Sequence, residues 1–301
     1  MFPIIPANSA AAATGPNDEG IFGFGTTGSV TAVTNLVSNA GVVSSDTAGV
    51  GTARSAPAAC EFGGDKGIFG FGNDGSVTAV TNLVSNAGVV ASDQATTTGT
   101  ARYYLAACSF GGDQGIFGYG YVSSATGVTN LVSNTGVVAN DVAGVGTARN
   151  ALAACEFGED EAIFGFGWLT PSYISLTNLV SNAGVVASDT AGVGTARETL
   201  AACSFGEDEG IFGFGTTGSR VSITNLVSNT GVVSSDVAGV GTVRNYLAAC
   251  EFGQDRAIFG FGNTGSKVSI TNLVSNAGVV ASDQATTTGT ARGYLAACSF
   301  N

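Results

Sequence analysis

The sequence predicts an all-β fold, a six-bladed β-propeller of four-stranded antiparallel blades closed by the C-terminal strand pairing into the first blade. Three observations carry that expectation. The segment TNLVSN recurs six times, with its first Asn at Asn35, Asn82, Asn130, Asn178, Asn225 and Asn272, at spacings of 47, 48, 48, 47 and 47 residues. Such a period belongs to blades of four strands, which take about 40 to 50 residues each. Second, Gly, Val and Thr dominate each copy, glycines punctuate the chain, and no stretch keeps a 3.6-residue apolar rhythm, so helix is excluded. Third, the copies do not end where they begin, as the strand order makes clear.

In the third copy, strand A is expected at 105–110, B at 115–120, C at 127–132 and D at 136–139. Strand A (LAACSF) is small and apolar, as the crowded axis of a ring requires. The turn after it, Gly111-Gly112-Asp113-Gln114, is acidic and glycine-containing. Strand B alternates Phe or Tyr with Gly, which fills one face and leaves the other bare for a neighbouring sheet to approach. Strand C carries the TNLV run, and Ser133-Asn134-Thr135-Gly136 reads as a tight hairpin into D whose Gly takes positive φ.

The six B–C–D units start at Gly20, Gly67, Gly115, Ala162, Gly210 and Ala257, yet an A-type strand, RGYLAACSF, follows the sixth D strand at 292–300. It is expected to pair with the B strand at 21–25, because an unpaired blade would leave open sheet edges. A rival is SAAAAT at 9–14, which lacks the Arg, Cys and Phe of the other A strands. The expected organisation is an N-terminal arm over 1–19 and the propeller over 20–301.

Composition narrows function. Charged residues are 11% of the chain against roughly 25% in ordinary soluble domains. The net charge is −12, and the ten Lys and Arg are scattered, so a phosphate-tracking surface is excluded and no nucleic-acid partner is expected. No apolar run approaches the roughly 18 residues that span a bilayer. Residues 1–18 lack the basic and apolar regions of a secretory signal. The expectation is a soluble chain without membrane insertion. The absence of His removes the commonest general base and metal ligand.

The six cysteines (Cys60, Cys108, Cys155, Cys203, Cys250, Cys298) occupy equivalent positions without close spacing, so they are read as reduced core residues and no metal is expected. An Asp follows each D strand and an Arg precedes each A strand. Asp46, Asp93, Asp141, Asp189, Asp236 and Asp283 are therefore expected to form structural ion pairs with Arg54, Arg102, Arg149, Arg197, Arg244 and Arg292; a calcium-binding reading of the same loops is the alternative. Asp65, Asp113, Glu159-Asp160-Glu161, Glu207-Asp208-Glu209 and Asp255 place an acidic rim on one face, either solvated or facing a basic partner or divalent cations. The B–C loops vary most from copy to copy, and variable loops on a repeated scaffold are where binding resides. Tyr121, Trp168, Tyr173, Arg220 and Lys267 are accordingly the candidate binding residues. No cofactor is expected, and no nucleophile–base pair or phosphate loop is present to support an enzyme.

The succession of Arg, small apolar strand A, glycine-containing turn, aromatic-Gly strand B and short hairpin resembles a kelch-type repeat over nearly all of 20–300. The double glycine that closes strand B in that family stands here as Phe-Gly, as at Phe71-Gly72. With FGYG and TNLVSNTGVV segments the chain is also similar to the strongly self-similar kelch-like repeats encoded by bacteriophages. That resemblance implies a non-enzymatic structural or interaction protein, located in the virion if phage-encoded, with other virion proteins as partners. The second class is a multivalent, lectin-like binder of surface glycans, and an enzyme comes third.

Overall fold

The computed structural model describes residues 19–94, 99–158, 160–206, 208–284 and 288–300. Residues 1–18 of the expected N-terminal arm, the rival strand at 9–14, Glu159 and Glu207 lie outside them, while Glu19, expected in the arm, begins the first strand. The described residues contain strands and turns and no helix. In chain order the strands are β1 (Glu19–Gly23), β2 (Thr34–Val37), β3 (Ala58–Phe62), β4 (Lys66–Asn73), β5 (Val77–Val84) and β6 (Ala106–Phe110). There follow β7 (Gln114–Gly118), β8 (Thr129–Val132), β9 (Ala153–Phe157), β10 (Glu161–Leu169), β11 (Ser172–Val180) and β12 (Ala201–Phe205). The last six are β13 (Glu209–Gly213), β14 (Thr224–Val227), β15 (Ala248–Phe252), β16 (Arg256–Gly260), β17 (Thr271–Val274) and β18 (Ala296–Phe300).

They form six three-stranded antiparallel sheets, an arrangement consistent with a six-bladed propeller. Five sheets take consecutive strands. The sixth has the order β18-β1-β2, with Glu19 opposite Phe300 and Gly23 opposite Ala296. Both edges of β1 are therefore occupied.

The blades have three strands and not the four expected. Strand D is reduced to isolated bridges, Val84 to Val90 in the second copy, and Val132 to Val138 with Thr129 to Val142 in the third. The reason is the buried Asn of TNLV. Ala91 N–H bonds to Leu83 O, but the Ala91 carbonyl accepts the Asn82 side-chain amide at 3.0 Å, so the reciprocal ladder bond is replaced by a side-chain bond. The same substitution recurs at Asn35, Asn130, Asn178, Asn225 and Asn272.

The core lies between sheets. Six apolar clusters each join two neighbouring sheets, and one of them joins the last sheet to the first through Phe22, Val37, Cys250, Phe252, Phe261 and Leu295. Strand B sets the spacing. A Cβ on Gly118 would lie 2.6 Å from the Phe164 ring of the next sheet, and Gly23, Gly70, Gly165, Gly213 and Gly260 each face the next Phe in the same way. The bare face expected from the Phe-Gly alternation is thus filled by the neighbour's ring. The second aromatic of each B strand (Phe24, Phe71, Tyr119, Phe166, Phe214, Phe261) has φ of 62–63°. A left-handed backbone costs a non-Gly residue about 1–2 kcal/mol. It is offset because each of these rings packs on the next sheet's Phe, with centroids 5.0–5.2 Å apart.

The ion-pair expectation is corrected. All six repeated Arg are fully buried, yet no described Asp or Glu lies within 4 Å of their guanidinium groups. Arg54 Nε donates to Phe71 O at 2.7 Å, Nη1 donates to Thr52 O, and the guanidinium stacks 4.0 Å from the Phe24 ring of the preceding sheet. Arg102, Arg149, Arg197, Arg244 and Arg292 repeat this cation–π contact. Burial pushes Arg54 down to about 10, still charged at neutral pH. Asp93 instead accepts the Thr52 amide and hydroxyl and the Asn82 amide. Asp141, Asp189, Asp236, Asp283 and Asp46 hold Thr100, Thr147, Thr195, Thr242 and Thr290 in the same way. The Asp fastens successive crossover loops, but through Thr, because the guanidinium is committed to carbonyls and a ring.

Candidate functional site

The strand directions place two different faces at the ends of the axis. Each A strand begins where the B–C loops gather and ends at the A–B turns and C–D hairpins. At the B–C end, the residue two after each Arg has positive φ, and its amide bonds to the equivalent carbonyl of the preceding copy. Tyr104 N donates to Ala56 O, Ala151 to Tyr104, Thr199 to Ala151, Tyr246 to Thr199, Tyr294 to Tyr246, and Ala56 to Tyr294. Six peptides thus make a chain of hydrogen bonds that returns to its start. Tyr246 and Tyr294 stack above it at 3.8 Å, with Tyr104 at 6.4 and 6.2 Å. These tyrosines, absent from the sequence-based candidates, were signalled by RYYLAAC, RNYLAAC and RGYLAAC, where Ala or Thr stands in the other copies.

The candidate residues extend outward from this mouth. Trp168 and Tyr173 do not lie in a loop: β10 and β11 lengthen past the bulge at Gly165/Gly167, so that Trp168 pairs with Tyr173 and their rings meet edge-on at 4.8 Å. Trp168 Nε1 donates to Thr170 Oγ1 at 3.1 Å. Tyr121 packs on Tyr103 at 5.7 Å. Arg220 reaches over the next sheet, with Nε 3.3 Å from Asn245 Oδ1 and Nη2 3.4 Å from Asn263 Oδ1. Lys267, its counterpart one copy later, reaches Thr26 Oγ1 at 3.4 Å. The five residues are not one pocket. They form an arc over four consecutive sheets, while the first two sheets carry the plain loops TTGS and NDGS.

The opposite end is acidic and strongly repeated. The A–B turn Asp is an acceptor within its own blade: Asp65, Asp113, Asp160, Asp208 and Asp255 take the side-chain amides of Asn86, Asn134, Asn182, Asn229 and Asn276. Inside this rim, Glu61, Glu156 and Glu251 alternate with Ser109, Ser204 and Ser299 around a cavity of about 270 Å³. Ser109 and Ser299 donate to the Glu of the following blade. Burial raises Glu156 to about 7 and Glu251 to about 8, the latter also through Glu61 and Glu156. Alternation of CEF with CSF along the sequence was the signal for this ring. The six cysteines line the axis between the two ends, free and buried, with their thiols pushed up by burial. Among the described residues no His, Cys, Asp or Glu cluster is arranged to hold a metal ion.

Compared with known proteins, the chain matches no family model and no curated protein.

Proposed function

We propose that the chain is a non-enzymatic interaction protein built on a closed six-bladed, kelch-like propeller, a phage virion component whose rigid disc docks on other virion proteins through its B–C face. One observation carries this reading. Core, axis and acidic rim repeat from copy to copy, whereas the B–C loops depart from the repeat in adjacent blades, culminating in the β10–β11 hairpin with its Trp168–Tyr173 pair. Aromatic side chains on a rigid hairpin lose little conformational entropy on binding, which suits them as anchors. Support for closure comes from the β18–β1 pairing, the cluster joining last and first sheets, and the returning hydrogen-bond chain.

The test is mass spectrometry of purified particles from a phage that encodes the chain, which should find it at a fixed ratio to the capsid protein. Absence from the particles would overturn the virion reading. A second reading, multivalent glycan binding, is favoured by an amide- and hydroxyl-lined cleft between B–C loops, which holds about 410 Å³ between Thr216, Ser219, Arg220, Asn245 and Thr264. Repeated weak sites on one disc gain through avidity.

A further inference from the structure

The ten Lys and Arg divide into three groups. Arg54, Arg102, Arg149, Arg197, Arg244 and Arg292 are buried in carbonyl cages between sheets. Lys66 and Arg256 pair with Asp65 and Asp255 on the A–B face. Only Arg220 and Lys267 remain, and both project from B–C loops of adjacent blades, each across the cleft to the next blade. On a chain of net charge −12, these are the two cations outside the buried cages without a carboxylate within 4 Å among the described residues.

Resting on the second, glycan-binding reading of the B–C face, we infer that the cleft at Arg220, together with Lys267 one blade on, binds an acidic oligosaccharide, with each cation taking a carboxylate of a uronic-acid unit. Arg220 spends Nε and Nη2 on two long bonds to Asn245 and Asn263 and leaves Nη1 without a protein partner among the described residues. The planar guanidinium is thereby held by its neighbours with its outer edge unused, the geometry that takes a carboxylate. The rest of the cleft, Thr216, Ser219, Asn245 and Thr264, both donates and accepts, matching sugar hydroxyls, and Val243 is its one apolar side chain. That lining lacks the desolvated apolar centre that anchors a protein partner. Glu198, whose backbone pairs with Thr216, is the neighbouring acid of this blade and forms no ion pair with Arg220. The Trp168–Tyr173 pair on the preceding blade offers an aromatic face for a further sugar ring.

Titration calorimetry of the full chain with tri-galacturonate and with its methyl ester tests this, since the two differ in charge and little in shape. The acid form should bind at least tenfold more tightly, and its binding should weaken as salt is raised from about 0.02 to 0.3 M. Arg220→Gln and Lys267→Gln should each lose about 10- to 100-fold without lowering the melting temperature, and Arg256→Gln on the opposite face should change nothing. Equal binding of the methyl ester, unchanged affinity in both variants, or loss on Arg256→Gln would overturn the inference. Binding of an oligo-glutamate peptide in place of either sugar would overturn it too. If the methyl ester binds as well as the acid but is lost on Trp168→Ala, the acidic ligand is refuted while the B–C face stands as the binding face.

Discussion

Deleting residues 293–301 removes β18 and leaves the inner edge of β1 bare. The loss can be worked from the structure. Five residue pairs join the two strands, from Glu19 opposite Phe300 to Gly23 opposite Ala296. About five ladder bonds at roughly 1 kcal/mol each give about 5 kcal/mol. Leu295 is 6% and Phe300 0% exposed, and their burial adds about 1.5–3 kcal/mol apiece. The Ala56 amide also loses its acceptor, Tyr294 O. The sum, about 8–11 kcal/mol, is comparable to the whole stability of an ordinary domain, about 5–15 kcal/mol. The truncated chain should therefore melt at least about 15 °C lower by circular dichroism, or elute as aggregate from size exclusion. Removing residues 1–14 should change the melting temperature by no more than about 2 °C, because both edges of β1 are already filled. A monomeric C-terminal truncation that melts within about 5 °C of the full chain would refute the latch.

Three further outcomes follow from the packing and the ionisable groups. Gly118→Ala should cost about 1–3 kcal/mol in chemical denaturation, since the new Cβ would sit 2.6 Å from the Phe164 ring; an unchanged midpoint would show that the sheets can part at no cost. The fold binds the protons of Glu156 and Glu251 more tightly than the unfolded chain does. Their contribution is fully present below about pH 4.5 and is lost as pH rises towards about 7 to 8, so the melting temperature should fall over that window, and the double Gln variant should flatten the fall. The repeated Asp are lowered by their Thr and Asn bonds, so their contribution disappears only in more acidic solution, below the usual carboxylate range. Thiol titration should find six reactive groups in denaturant without reductant and almost none in the native protein, whereas a count of four or fewer in denaturant would reveal crosslinks.

The number of copies, the order of strands within a copy and the small innermost strand were all legible in the sequence, because each follows from a local pattern. TNLVSN counts the sheets, Gly alternating with Phe requires a neighbour's ring on the bare face, and LAAC fits only near an axis. The variable B–C loops were legible for the same reason, as departures from a repeat. What the sequence pattern could not decide was which partner a polar group takes when several lie within reach. The TNLV Asn was read as part of an ordinary strand, but its side-chain amide occupies the carbonyl that would have extended strand D, leaving three strands and a bridge. The Asp and Arg were matched by charge, yet a guanidinium sandwiched between an aromatic ring and carbonyl groups has no room for a carboxylate, and the Asp turns to a Thr about 41 residues earlier in the chain. Trp168 and Tyr173 became a strand pair because β10 continues past its bulge, and the glutamate–serine ring forms because alternate copies meet at one axis. Local periodicity is written along the chain; competition among donors and acceptors from different blades is settled only when the sheets come together.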